Sequence, residues 1–170
     1  MKRKILLSFA LMCISIFALG ALSAIAETEG YLTYRESNGE ITITGFDKTS
    51  EETEITIPET IAGLPVTGIN EYVFNYCETI TGIQLPGSIK TIGSDAFSGC
   101  SNLKNITIPN SVTYIGHGAF SNCSNLTSIN VGKDNLNYST SDGNLYSKDK
   151  KILLQYTAEK KTANLPFLIL

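Results

Sequence analysis

The chain has 170 residues, 42% of them hydrophobic and 17% charged, with a formal net charge of −3. That apolar fraction excludes a disordered tail protein, and a pI near 5.2 excludes the basic footprint of a nucleic-acid binder. Four cysteines and a single histidine are too few for a disulfide scaffold or a His-rich metal site.

The first 26 residues read as a secretory signal. Lys2, Arg3 and Lys4 form a basic start, Ile5 to Leu19 is apolar, and no further charge occurs before Glu27. Ala24-Ile25-Ala26 places small residues where a signal peptidase inspects them, so cleavage after Ala26 is favoured over a retained anchor. A lipoprotein reading through Cys13 is weaker, because Leu11-Met12 lacks the small residues of such a site. Cleavage removes three cations and no acid, leaving 144 residues with ten basic and 16 acidic side chains, a net charge of −6. The expected product is secreted or extracellular, associated with a cell surface or free, and without a membrane span.

Residues 27–52 are predicted to be a β cap. Two β-rich runs, Tyr31–Arg35 and Ile41–Gly45, flank Asn38-Gly39, a strong hairpin signal. Such a hairpin would cover the first open edge of whatever follows.

Residues 53–131 are an internal repeat. Phe74, Phe97 and Phe120 are 23 apart, as are Cys77, Cys100 and Cys123, and Ile69, Ile92 and Ile115. Aligning residues 86–108 with 109–131 gives 12 identities in 23 positions, where chance gives one or two. Within a unit, Ile106 and Ile108 alternate with polar neighbours at the period of a half-buried strand, and Pro109 ends that strand because it has no amide hydrogen. Val112 and Ile115 turn inward again. Gly116 is expected to supply a positive φ at a corner, and Ala119, Phe120 and Cys123 are spaced for a short helical turn. About eight apolar side chains per unit cannot be buried alone, so the units must stack. The first unit is longer: Pro58 to Ile69 is 11 residues where Pro86 to Ile92 and Pro109 to Ile115 are 6, with the excess inside residues 61–66.

Residues 132–170 depart from the pattern. Gly132 replaces the proline, Gly132 to Asp142 reads as a polar loop, and Gly143–Ser147 with Ile152–Tyr156 reads as a hairpin around Lys148-Asp149-Lys150. The chain then reaches Leu165-Pro166-Phe167-Leu168-Ile169-Leu170, five of six large and apolar. These residues either pack as a final strand or mark a truncated product of a longer gene, with truncation slightly favoured.

The motif Ile-Thr-Ile-Pro-x-x-Val-x-x-Ile-Gly-x-x-Ala-Phe-x-x-Cys-x-x-Leu over residues 106–126 resembles the BspA-like leucine-rich repeat family of bacterial surface proteins, and the resemblance extends over about residues 41–157. It implies a β-rich α/β solenoid: a right-handed coil stack with parallel strands, short helical turns and an N-terminal β-hairpin cap. It also implies an exported chain that binds other macromolecules, through adhesion to host matrix proteins or to other cells. The 11-residue stretch in the first unit matches the longer opening unit of that family.

No catalytic constellation is legible. His117 aligns with Ser94 and Glu71 of the preceding units and reads as an exposed corner. The three repeat cysteines are expected to form a thiol ladder in the core, with a disulfide between neighbouring coils as the alternative. No metal, cofactor or enzymatic activity is predicted. Asn105, Asn122, Asn125 and Asn137 begin N-x-S/T sequons, but Asn125 has Asn102 as its repeat equivalent, which points to a turn role.

The candidate binding surface is the outward face of the stacked strands. One row carries Thr56, Gln84, Thr107 and Asn130; a second carries Glu54, Gly82, Asn105 and Ser128, with Thr81, Lys104 and Thr127 at its edge. Small hydrogen-bonding side chains on a flat sheet suit an extracellular protein or glycan ligand, although threonine also serves as a plain solvent-facing strand residue and no aromatic or Arg anchor interrupts the rows. The alternative to a binding module is a purely structural fragment of a longer surface repeat protein.

Overall fold

The computed structural model describes residues 26–157; the leader and the apolar C-terminal residues lie outside them. Alternating burial turns each predicted repeat strand into an extended segment with isoleucines inward. The first parallel ladder is built from β4 (Glu54–Thr56), β7 (Gly82–Gln84), β9 (Asn105–Ile108) and β11 (Ser128–Val131). Its register pairs Ile55 with Ile83, Ile83 with Ile106, and Ile106 with Ile129. The 23-residue period is thus the length of one coil.

A second ladder follows the corner after each proline. It runs through β6 (Leu64–Ile69), β8 (Thr91–Ile92) and β10 (Tyr114–Ile115), aligning Ile69, Ile92 and Ile115. The N-terminal cap is an extension of this second sheet. β1 (Glu27–Glu29), β2 (Leu32–Ser37) and β3 (Glu40–Phe46) pair antiparallel, and β3 then pairs parallel with β6. Asn38 and Gly39 have φ of 53° and 76°, the left-handed pair that a two-residue hairpin matching strand twist requires. The additional residues of the first unit form a hairpin of the same kind, with β5 (Thr60–Ile61) returning into β6 through Ala62-Gly63.

The third side of each coil is not helical. Among the described residues there is no helix; the segment holding Ala-Phe-x-x-Cys is a chain of turns. Tyr72, Asp95 and Gly118 share one repeat position and Tyr76, Gly99 and Asn122 another, and all six have positive φ. Two left-handed residues four apart close each helical turn before it can propagate. The freed amides point along the stack instead: Tyr72, Phe74 and Tyr76 donate to the carbonyls of Ser94, Ala96 and Ser98 at 3.2, 2.8 and 2.8 Å. Asp95, Phe97 and Gly99 donate to His117, Ala119 and Ser121 at 3.0, 2.9 and 2.8 Å.

Gly116 also corrects expectation. It does not take a positive φ. A β-carbon there would collide with the backbone nitrogen of Ser94 and stand 2.6 Å from its Cα, and one at Gly93 would stand 2.5 Å from the backbone of Asn70 and Glu71. Glycine is needed at these two places because successive coils touch backbone to backbone.

The core is a set of columns along the stack. Phe74, Phe97 and Phe120 are buried, with centroids 5.3 and 5.5 Å apart and rings within 5° of parallel. Phe46 of the cap continues the column 5.2 Å from Phe74, and Tyr31 closes it edge-on at 5.7 Å. Burying each phenylalanine contributes about 2–3 kcal/mol, and offset stacking adds roughly 1 kcal/mol per pair. The cysteines form the adjoining column. All three stand as thiols, and Cys100 and Cys123 donate to the carbonyls of Phe74 and Phe97, each at 3.1 Å. Each of these carbonyls also accepts a backbone amide of its own turn, from Cys77 and Cys100 at 3.1 and 3.2 Å, so the thiols fill a second acceptor position and tie one coil to the next.

Beyond β11 the chain forms a three-stranded antiparallel sheet of β12 (Tyr138–Ser141), β13 (Asn144–Ser147) and β14 (Leu153–Gln155). The expected polar loop thus contains a strand, turned into β13 by Asp142-Gly143 with φ of 52° and 77°. This sheet leans on the last coil. Tyr138 Oη accepts from the amide of Ile115 at 2.8 Å, and the amide of Ile129 donates to the Gly143 carbonyl at 2.8 Å. Buried Asn135 is the clamp: its amide donates to the carbonyls of Pro109 and Val112, and its oxygen accepts from the amides of Asn137 and Tyr138.

Candidate functional site

The strand rows predicted from repeat alignment are in register. Glu54 lies beside Gly82 and Thr56 beside Gln84; Asn105 lies beside Ser128 and Thr107 beside Asn130. Thr56, Gln84, Thr107 and Asn130 are all exposed, because each flanks an inward isoleucine and the pleat sends alternate side chains to opposite faces. The first row is therefore a continuous strip of neutral donors and acceptors.

The second row is less open. Glu54 folds along its neighbour: its carboxylate accepts from the Thr81 hydroxyl at 2.6 Å and lies where a side chain at Gly82 would stand. Asn105 is exposed, and Ser128 is half-buried. At the edge, Lys104 is exposed, and its carbonyl accepts from the amide and hydroxyl of Thr127 at 2.8 and 3.1 Å. Threonine at the edge thus has a structural task. The exposed side chains of this face are the first row together with Glu54, Asn105, Lys104 and Thr127.

Next to the first row, where the strands bend at proline, a shallow depression of about 400 Å³ is lined by Leu85, Gly87, Thr107, Ile108, Pro109, Asn110 and Gly132. It gives the flat strip one concave border, with Thr107 in both.

The remaining candidates fall into place around this face. Asn102 donates to the Glu78 carbonyl at 2.7 Å and Asn125 to the side-chain oxygen of Asn102 at 3.3 Å, an asparagine ladder that gives Asn125 its turn role. His117 is exposed on the turn side, away from the strand rows. Burial pushes the Cys100 thiol well above its ordinary range and raises that of Cys77, which leaves both protonated at neutral pH. Among the described residues, no three His, Cys, Asp or Glu side chains converge to hold a metal, and no helix is long and apolar enough to cross a membrane.

One feature escaped sequence reasoning. At the far end of the stack a cleft of about 350 Å³ runs between residues 115–121 of the last coil and Leu145, Leu153, Leu154 and Gln155 of the C-terminal sheet. Its signal was the run Ile152-Leu153-Leu154, apolar on both faces of a strand where alternation would be ordinary.

Parallel ladders with a 23-residue coil, a phenylalanine column and a proline at each strand end define a solenoid of the leucine-rich repeat class. The model of the BspA type leucine rich repeat region matches residues 31–141 in six copies, and the chain belongs to that family. It is similar to a leucine-rich repeat protein from Bacteroides capillosus of known crystal structure, at 26% identity and a TM-score of 0.50 over 63% of this chain and 98% of that one. It is also similar to the pneumococcal vaccine antigen PcpA (17% identity, TM-score 0.42, 81% and 57% of the two chains). A leucine-rich cell surface protein from Faecalibacterium prausnitzii is similar at 23% identity, with a TM-score of 0.34 over 79% and 62%. No curated protein is significantly similar to it in sequence.

Proposed function

We propose that this chain is a secreted or cell-surface binding module, without enzymatic activity, that engages an extracellular protein or glycan through the outward face of the first strand ladder. The observation that carries the reading is the exposed in-register strip of Thr56, Gln84, Thr107 and Asn130. Uncharged donors and acceptors at strand spacing can each make a hydrogen bond to a backbone or a sugar hydroxyl without a large desolvation penalty. The absence of an aromatic anchor within the strip fits modest affinity per unit area. Membership of the family and the basic, apolar leader support export.

The test is binding of the full chain to matrix proteins, mucins and bacterial cell surfaces, with Gln84→Lys plus Thr107→Lys as the diagnostic variant. Both side chains are exposed, so the fold is retained. A loss of binding of tenfold or more, with an unchanged melting temperature, is expected. Binding that survives both lysines overturns the strand-face assignment.

A further inference from the structure

Charge is distributed unevenly along the described residues. The cap and the repeat stack, residues 26–131, carry four basic and twelve acidic side chains, a net −8. Residues 132–157, which hold the C-terminal sheet, carry Lys133, Lys148, Lys150 and Lys151 against Asp134, Asp142 and Asp149, a net +1. Half of the basic side chains thus fall in the last stretch of an otherwise acidic body.

Three of those four lysines meet at one place. Where β11 ends and the C-terminal sheet begins, a depression of about 270 Å³ is lined by Lys133, Lys148 and Lys150 together with Tyr138, Ser139 and Thr140. All three lysines are exposed, and no carboxylate lines the depression. Asp149, the acid between two of them in sequence, is engaged elsewhere: it pairs with Lys151 at 3.4 Å and accepts from the Ser147 hydroxyl at 2.7 Å.

Two of the cations are held in position. The Lys148 ammonium donates to the carbonyl of Asn135, the residue that clamps the sheet to the last coil. Lys150 sits in a turn with φ of 58°, its amide donating to the Ser147 carbonyl at 2.9 Å. The hydroxyls of Ser139 and Thr140 donate to the carbonyls of Ser147 and Ile129 at 2.9 and 2.7 Å, which leaves recognition to the ammonium groups. Like charges gathered around one concavity repel one another, and an anion seated among them removes that cost.

We propose that this depression binds a segment of an anionic polysaccharide, a hydroxyl-rich chain carrying sulfate, carboxylate or phosphate groups. An ammonium is a point charge with three donors and serves all three anions. Charge and shape favour a thin polymer over an anionic membrane or a nucleic-acid duplex. An extended anionic surface would also face the body of net −8, whereas a single chain entering a recess meets only the lysines. The site lies apart from the strand strip, and the proposal does not rest on the ligand-binding reading of that strip.

Binding of the full chain to dextran sulfate, carboxymethyl dextran and dextran phosphate tests it, with plain dextran and phosphatidylglycerol vesicles alongside. One neutral backbone with three anions shows which charged group is preferred. At least one charged dextran should bind where plain dextran does not, and added salt should weaken that binding. Lys133→Gln plus Lys150→Asn should weaken it about tenfold, the loss of two surface ion pairs. Both positions are exposed, and asparagine suits the left-handed φ at Lys150, so the melting temperature should hold. Lys104→Gln, at an exposed lysine on the strand edge, should leave the binding unchanged. Charged dextrans that bind no better than plain dextran overturn the proposal, as does binding that survives the double variant. An equal loss in Lys104→Gln marks unspecific attraction and overturns it too. Binding to the vesicles and to none of the dextrans assigns the depression to a membrane surface and overturns it equally.

Discussion

Glycines two residues apart in the third coil have opposite reasons to be glycine, and this separates two kinds of damage. At Gly116 a methyl group meets the Ser94 backbone, which belongs to a neighbouring coil and cannot rotate away. Overpacking of this sort costs about 3 kcal/mol. At Gly118 the φ is +67°, and the nearest obstacle is the carboxylate of Asp95, the far end of a side chain that can move. The same repeat position already holds Tyr72 and Asp95 at φ of 61° and 52°. Alanine there carries a left-handed penalty of roughly 1–2 kcal/mol, offset in part by about 0.5 kcal/mol of lost chain entropy in the unfolded state. Gly116→Ala should therefore lower the melting temperature by about 9 °C and Gly118→Ala by about 3 °C, at roughly 3 °C per kcal/mol for a chain of this size. Urea titrations followed by circular dichroism should rank them in the same order. Equal losses, or a larger loss at Gly118, would refute the assignment of Gly116 to coil contact.

Two further outcomes follow from titrating groups. Glu40 of the cap bonds Lys90 of the second coil at 2.5 Å and accepts from Thr67 at 2.9 Å, and its carboxyl is held below the ordinary range first by the Lys90 bond and then by Thr67. A lowered folded pKa gives stability that is present above the unfolded value of 4.5 and lost as pH falls through the folded one. Acid should thus loosen the cap below about pH 4.5, and Glu40→Gln should flatten that part of a stability–pH curve; an unchanged curve would show the contact to be inert. Burial of Cys100 predicts that a thiol reagent at pH 8 labels it only on unfolding. Labelling of Cys100 in the native chain at the rate of a free thiol would show the core column to be open.

Much of the fold is legible in the repeat because one period serves as both sequence interval and coil length. That identity places Ile83, Ile106 and Ile129 in one ladder and the strip through Thr107 on its outside, before any coordinate is known. The same arithmetic could have found Phe46: it lies 28 residues before Phe74, one period plus the five added residues of the first unit. It was hidden because the cap has no other repeat letters. The turn segment was misread for a different reason. Ala-Phe-x-x-Cys has helical spacing, but tyrosines at Tyr72 and Tyr76 give no sign of positive φ, a conformation that bulky residues rarely adopt. Glu54 was placed correctly in its row, yet its carboxylate bends across Gly82, a side-chain choice that register does not specify. The strand at Tyr138–Ser141 was missed because its side chains are polar or half-buried throughout, so alternation is weak.

Hydrogen bonds between coils point along the stack, and the described residues enter it through the β1–β3 cap and leave it through the β12–β14 sheet at the other end. Tension applied between the ends of such a chain loads the coils in series, so they peel one at a time. Each coil that opens would release 23 residues, about 75 Å of extended chain in place of the roughly 4.8 Å it occupied in the stack. Length is then a reserve: the remaining coils stay folded after the first has yielded. The phenylalanine column runs through all three coils into the cap at Phe46, so each coil that yields also breaks one ring contact.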